Sequence, residues 1–185
     1  MPIADLDVAL DIFASALSWL RDTYSAHSFY VERDLVWTLQ KHLVERAAQH
    51  RAPLRIFNDY PVLPGKHRGL SADLVLVDNI GAVLLATEFK YEPGHLRPDI
   101  QKQKLPVVFW GADGVAKDVA RISEFVESGR SAAACALFLD EGRYFRQRAP
   151  HPGSTWIDWP NGPSILFASA GPSRLSGLLS QGDAA

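Results

Sequence analysis

Three residues near the middle of the chain could do chemistry together: Asp73, and then Glu88 and Lys90 of the triplet Glu88-Phe89-Lys90, which begins fifteen positions later. Side chains alternate along a strand, so Glu88 and Lys90 share a face. The runs Ala72 to Val77 and Ala82 to Phe89 read as strands, and Asp78-Asn79-Ile80-Gly81 between them reads as a hairpin turn. A turn centred on Asn79-Ile80 sets position 73 opposite 86, and one centred on Ile80-Gly81 sets it opposite 88. Either register puts Asp73 on the face that carries Glu88 and Lys90; a loop of odd length, or a bulge, would undo this. Two adjacent carboxylates repel unless a cation lies between them. Oxygen ligands of this kind suit Mg²⁺ (or Mn²⁺), which takes one or two carboxylates and keeps several waters, leaving room for a phosphate oxygen. Lys90 could then orient or deprotonate a water, or steady charge developing on phosphorus.

The elements that must position these groups follow from hydrophobic periodicity. Leu6, Leu10, Phe13, Leu17 and Leu20 form one helical stripe, and a second helix is expected from about Tyr30 to His50, with Val31, Leu35, Leu39, Leu43 and Ala47 on one side. Leu54 to Val62 reads as a first strand. The two central strands are apolar on both faces, as strands covered on each side should be. A loop is expected over Tyr91 to Pro98, and helical segments around Asp99 to Leu105 and around Val115 to Ser128, the second ended by Gly129. Ser131 to Leu139 reads as a buried strand reached by a parallel crossover. Arg143 to Arg148, Trp156 to Trp159 and Ile165 to Ala168 read as short outer strands. The expected class is α/β with a central mixed β-sheet flanked by helices. Residues 1–170 form the expected single domain, and the Gly/Ser/Ala-rich 171–185 a weakly ordered C-terminal tail with one helical turn near Leu175.

The stretch SADLVLVDNIGAVLLATEFK, with Asp73 ahead of Glu88-x-Lys90, resembles the core hairpin of the PD-(D/E)XK nuclease superfamily. The helices before it and the α–β unit after it resemble that superfamily's α-β-β-β-α-β core over roughly residues 30–140, with an extra N-terminal helix. The resemblance implies a restriction-endonuclease-like fold and metal-dependent phosphodiester hydrolysis of nucleic acid, DNA being the first expectation. It implies that Asp73 and Glu88 are metal ligands with the Phe89 carbonyl as a third, and that Lys90 is the catalytic lysine. Alanine at position 72 stands where the superfamily's name has proline. Many members carry an acid on the preceding helix; Glu32 fits best and Glu45 competes. Glu32 also reads as an ordinary acid at a helix N-terminus, where the dipole favours it. Gln101 and Gln103 resemble the glutamine that some exonuclease-like members place after the lysine, although no tyrosine follows at helical spacing.

Among the other polar groups, the loop Gly65-Lys66-His67-Arg68-Gly69 could touch a phosphate near the metal or simply be a solvated turn. Lys102 and Lys104, with His95 and Arg97, form a second basic patch, and Arg143, Arg146 and Arg148 a third. Together they could line a groove that the overall charge of −2 hides. That charge argues against a large nucleic-acid footprint and leaves a small one open. The 185 residues, 47% hydrophobic and 22% charged, suit a globular chain, and the single cysteine, Cys135, excludes a disulfide scaffold and reads as a core thiol. The five tryptophans read as core and cover. No apolar run reaches membrane-spanning length. The first twenty residues, with Asp5, Asp7 and Asp11, lack a secretory pattern, so a cytoplasmic location is expected. No Walker A loop, GxGxxG fingerprint or GxSxG elbow occurs. The alternative to an enzyme is a non-catalytic nucleic-acid-binding or protein-interaction module on the same fold; a homodimer would suit cleavage of both strands of a duplex.

Overall fold

Leu10, Phe13, Leu17 and Leu20 recur at three- and four-residue steps, and all four are buried on helix α1 (Ile3–Thr23). The computed structural model describes residues 3–62, 71–101, 104–160 and 162–177, with side chains from residue 6 onward. A 3-10 turn, Tyr24–Ala26, leads to helix α2 (Glu32–Gln49), which buries Leu35, Val36, Leu39, Leu43 and Ala47. Each such leucine contributes about 1.5–3 kcal/mol by leaving water. The Asp34 carboxylate accepts the N–H groups of Tyr30 and Val31 at 2.9 and 3.1 Å. That satisfies two amides at the helix entry and fixes where Glu32 begins the first turn.

Six strands form one sheet: β1 (Arg55–Pro61), β2 (Ser71–Val77), β3 (Val83–Glu92), β4 (Ser131–Asp140), β5 (Ser154–Asp158) and β6 (Ser164–Ala170). Their order is β1-β2-β3-β4-β6-β5, antiparallel except for the parallel pair β3 and β4. Helix α3 (Val115–Glu127) makes the crossover between that pair and ends at Gly129, whose φ of +68° suits a residue without a Cβ. Helices α1 and α2 cover one face of the sheet, packing on Leu74, Leu76, Leu84, Leu85 and Phe89. Helix α3 covers the other, where Ile122 and Phe125 meet Val75, Val77, Ala86 and Ala134. The chain is thus α/β, with a six-stranded mixed sheet flanked by helices.

The β2–β3 hairpin has both features that could have spoiled its register. Val77 faces Val83 across a five-residue loop, an odd length. One step on, Leu76 faces Leu85, so Leu84 is an extra residue, a bulge. Consecutive Leu84 and Leu85 both point toward α1 and α2. The two irregularities cancel, and beyond the bulge Leu74 faces Thr87. Position 73 therefore falls opposite 88.

Several local expectations differ. Strand β3 runs on through Glu92, held in the ladder by β4, where a loop from Tyr91 was expected. Around 99–105 the described residues form no α-helix, and Lys104 lies in a 3-10 turn. Lys104 N–H closes one i→i+3 bond to Gln101 O at 2.9 Å, and both residues are exposed, so a short helix there would have no face to bury. Arg143–Arg148 is not a strand: the buried Asp140 carboxylate accepts the N–H groups of Tyr144 and Phe145 at 2.9 and 2.6 Å and curls the chain into turns. Near the C-terminus, helix α4 (Ser173–Ser176) buries Leu175 completely in the core cluster that includes α1, and Arg174 pairs with Asp7 at 3.1 Å and with Asp11. Residues 178–185 lie outside the described residues. No described helix is long and apolar enough to cross a membrane.

Candidate functional site

Asp73, at the start of β2, and Glu88 and Lys90, at the end of β3, come together where the hairpin register sets 73 opposite 88. Asp73 Oδ2 accepts the Phe89 N–H at 2.7 Å, locking the carboxylate to the strand that carries the other two. Glu88 is 2% exposed and its Oε1 accepts from Arg121 Nη1 of α3 at 3.1 Å. Lys90 Nζ lies 3.2 Å from Glu32 Oε2 on α2 and 3.2 Å from Asp118 Oδ2 on α3, and donates to its neighbour's carbonyl, Phe89 O, at 2.9 Å. Of the two acids considered on α2, Glu32 is the one at the site; Glu45 is exposed.

Four carboxylates, Glu32, Asp73, Glu88 and Asp118, thus face two cations, Lys90 and Arg121. Fully ionised, the cluster carries two uncompensated negative charges, which at this depth costs several kcal/mol. The carboxyls respond accordingly. Burial pushes Glu88 well above the usual carboxylate range, aided by Asp73 and opposed by Arg121. Burial also raises Asp73, against the Phe89 N–H and Lys90. Glu32 is pushed up to about 7 by burial, opposed by Lys90 and helped by Asp73. Burial alone would pull the Lys90 ammonium down, but Glu32, Asp118 and Asp73 hold it above its ordinary value. Lys90 is therefore an ammonium and a fixed positive charge in this arrangement rather than a base.

The donor set is made of hard oxygens, the kind that suits Mg²⁺ or Mn²⁺. Asp118 Oδ2 is buried, with the Lys90 ammonium 3.2 Å away as its counter-charge. A buried group of carboxylates two positive charges short of neutrality fits a divalent cation. Among the described residues no three His, Cys, Asp or Glu side chains close into a metal cage. Asp73 and Glu88 would accordingly be two protein ligands with waters completing the shell, as is usual for Mg²⁺. The Phe89 carbonyl, expected as a third, is engaged by Lys90 Nζ.

Asp73, Lys90 and Glu32 line a cleft of about 470 Å³, whose other residues include Tyr30, Arg33, Trp37, Asp59 and Phe109. Asp59 lies across from Asp73 in the β1–β2 register, between the pairs Asn58–Leu74 and Tyr60–Ala72, with φ of +48°. Glu88 does not line this cleft; with Lys90 and Asp118 it lines a small neighbouring pocket.

Lys66, His67, Arg68, Lys102 and Gln103 lie outside the described residues. Gln101 offers its carbonyl to Tyr30 Oη at 3.3 Å, and Lys104 is exposed. In the second basic patch two members are paired with acids: His95 Nε2 lies 2.6 Å from Glu92, and Arg97 bonds Glu141 and Asp99. In the third, Arg146 pairs with Asp158 at 2.9 Å, and Arg148 lies over Trp110 and Phe145. Cys135 is fully buried against Thr87, and burial pushes its thiol up to about 12, as a core thiol requires. Trp159 is buried, whereas Trp37 is 55% exposed on the cleft.

Asp118 and Arg121 escaped the sequence reading, although a signal was there. Positions 115, 118, 122 and 125 form the buried stripe of α3, so an aspartate interrupts an otherwise apolar face. A charged residue on a core stripe needs a partner. No family model matches the chain, and neither a curated protein nor a solved structure matches it.

Proposed function

We propose that the chain is a metal-dependent phosphodiesterase of nucleic acid, built on a restriction-endonuclease-like α-β-β-β-α-β core. The observation that carries this reading is the meeting of Asp73, Glu88 and Lys90 at one end of the β2–β3 hairpin, in a cluster two positive charges short of neutrality. Asp73 and Glu88 would hold a divalent cation, with Mg²⁺ or Mn²⁺ as the natural choices. Such an ion, when bound, polarises a phosphoryl oxygen and lowers the pKa of a coordinated water. Lys90, kept as an ammonium by Glu32 and Asp118, places a fixed positive charge where charge develops on phosphorus. Arg121 keeps Glu88 oriented.

One observation favours a second reading. Glu88 is sealed from solvent by its bond to Arg121, as a non-catalytic nucleic-acid-binding or protein-interaction module would permit.

Calorimetric titration of Mn²⁺ into the wild type and Asp73→Ala, followed by an Mg²⁺-dependent cleavage assay on DNA and RNA, separates the two. Binding that Asp73→Ala loses, together with cleavage that Lys90→Ala loses, supports the enzyme. Equal titrations and no cleavage would move the assignment to the module.

A further inference from the structure

Three of the large apolar side chains left exposed by the fold line one cleft: Trp37 at 55%, Val107 at 73% and Phe109 at 59% exposure. They come from two elements, Trp37 from α2 and the others from the segment that leads into α3. The same cleft has Asp73 and Lys90 on its surface. We propose that this cleft is a nucleobase-stacking subsite, so that the strand delivered to Asp73, Glu88 and Lys90 is unpaired. The inference rests on the phosphodiesterase reading and names its substrate class.

Phe109 is held in place. Its carbonyl accepts the Val115 N–H at 2.9 Å, and Trp110 O accepts that of Ala116 at 3.2 Å, so two first-turn amides of α3 fasten the segment. Gly114 makes the closure possible, since a Cβ there would meet Phe109 O at 1.8 Å. An exposed aromatic on a fastened backbone is a platform whose ordering has already been completed by folding.

The chemistry of the lining selects the occupant. A duplex keeps its base faces stacked and presents only edges in its grooves, so exposed aromatic faces can be met only by unpaired bases. Among the described residues the lining carries two cations, Arg33 and Lys90, against four acids, Glu32, Asp59, Asp73 and Asp113. That is too little positive charge to track the phosphates of a duplex, whereas stacking contributes about 1–3 kcal/mol per base whatever the backbone does. The Arg33 guanidinium lies over the Trp37 ring, 5.9 Å from its centroid, one helical turn away. A cation paired with an exposed ring complements a nucleotide, with its aromatic base and anionic phosphate; an apolar peptide would offer the guanidinium no anion.

The test is fluorescence anisotropy of labelled single-stranded DNA and RNA dodecamers and a duplex of the same sequence, with Ca²⁺ in place of Mg²⁺. The single strand should bind at least ten-fold more tightly than the duplex. Trp37→Ala and Phe109→Ala should each weaken it by about ten-fold, a stacked base's worth, while Trp37→Phe should restore most of the affinity. Both side chains are exposed, so truncation should leave the thermal transition unchanged. Equal or tighter duplex binding, affinity indifferent to Trp37 and Phe109, or binding to none of the probes would overturn the inference. Self-association of the wild type that Trp37→Ala abolishes would also overturn it, making the cleft an interface between copies. The two readings fail separately. Single-strand binding that depends on the aromatics without any Lys90-dependent cleavage removes the enzyme and keeps the subsite. Lys90-dependent cleavage with KM indifferent to both aromatics does the reverse.

Discussion

Arg121 Nη1 donates to Glu88 Oε1 at 3.1 Å, joining helix α3 to the end of β3 with the carboxylate 2% exposed. The pair spans the face of the sheet on which the candidate metal ligands lie. Arg121 is one of the two cations set against the cluster's four carboxylates. A buried pair is costly to break from one side, because the survivor is left as an uncompensated charge. Arg121→Met should therefore destabilise the metal-free protein by about 3–5 kcal/mol at pH 7. Adding Glu88→Gln should recover a large part of that loss, and urea unfolding of the four members of the cycle measures the coupling. Additive losses would mean that the bond is incidental.

Lys90 is held by Glu32 and Asp118, so its removal uncovers two carboxylates next to Asp73. Lys90→Ala should abolish phosphodiester cleavage while Mn²⁺ binding persists or tightens, since the competing cation is gone. Calorimetry and a cleavage assay on the same preparation give both readouts. Retained turnover, or loss of Mn²⁺ binding, would remove Lys90 from the role assigned to it.

The order of elements was legible because the buried stripes of α1 and α2 and the apolar runs of β2, β3 and β4 follow the helical and strand periods cleanly. The meeting of Asp73 with Glu88 was legible only in part. Alternation brings them to one face for an even loop, but the loop is odd, and the unpaired Leu84 restores the parity. A bulge leaves little trace in a run such as Ala82-Val83-Leu84-Leu85, where every residue is apolar and either face accepts it. Arg121 and the cleft aromatics were not seen because they depend on tertiary placement: α3 reaches Glu88 through the crossover, and Phe109 is set by a turn that Gly114 permits.

That turn can be tested directly. Gly114→Ala puts a methyl group 1.8 Å from Phe109 O, so the carbonyl must leave the Val115 amide. The expected cost is about 1–3 kcal/mol for the freed donor, measured by urea unfolding. Single-strand affinity should fall with it, although residue 114 has no side chain to contact a base. A variant as stable as the wild type would show that the segment adjusts freely and that Phe109 is not pre-placed.

Glu32 gives the site a pH signature. Its carboxyl is pushed up to about 7 in the folded chain from an ordinary 4.5, by burial and Asp73 against Lys90. A raised carboxyl binds its proton more tightly folded than unfolded, so between pH 4.5 and 7 the folded state carries the extra proton and stability falls as pH rises. With about a third of the side chain exposed, 34%, solvent screening reduces the effect to about 1–2 kcal/mol across that window. Asp158, held down to about 2 by Arg146, titrates below the window and does not oppose it. Metal-free wild type should therefore lose stability from pH 5 to 7 more steeply than Glu32→Gln, which has no carboxyl to ionise. Saturating Mn²⁺ should flatten the wild-type slope by supplying the missing charge. Urea unfolding at a series of pH values gives all three slopes, and identical metal-free slopes for the wild type and Glu32→Gln would show that Glu32 ionises as it does in the unfolded chain.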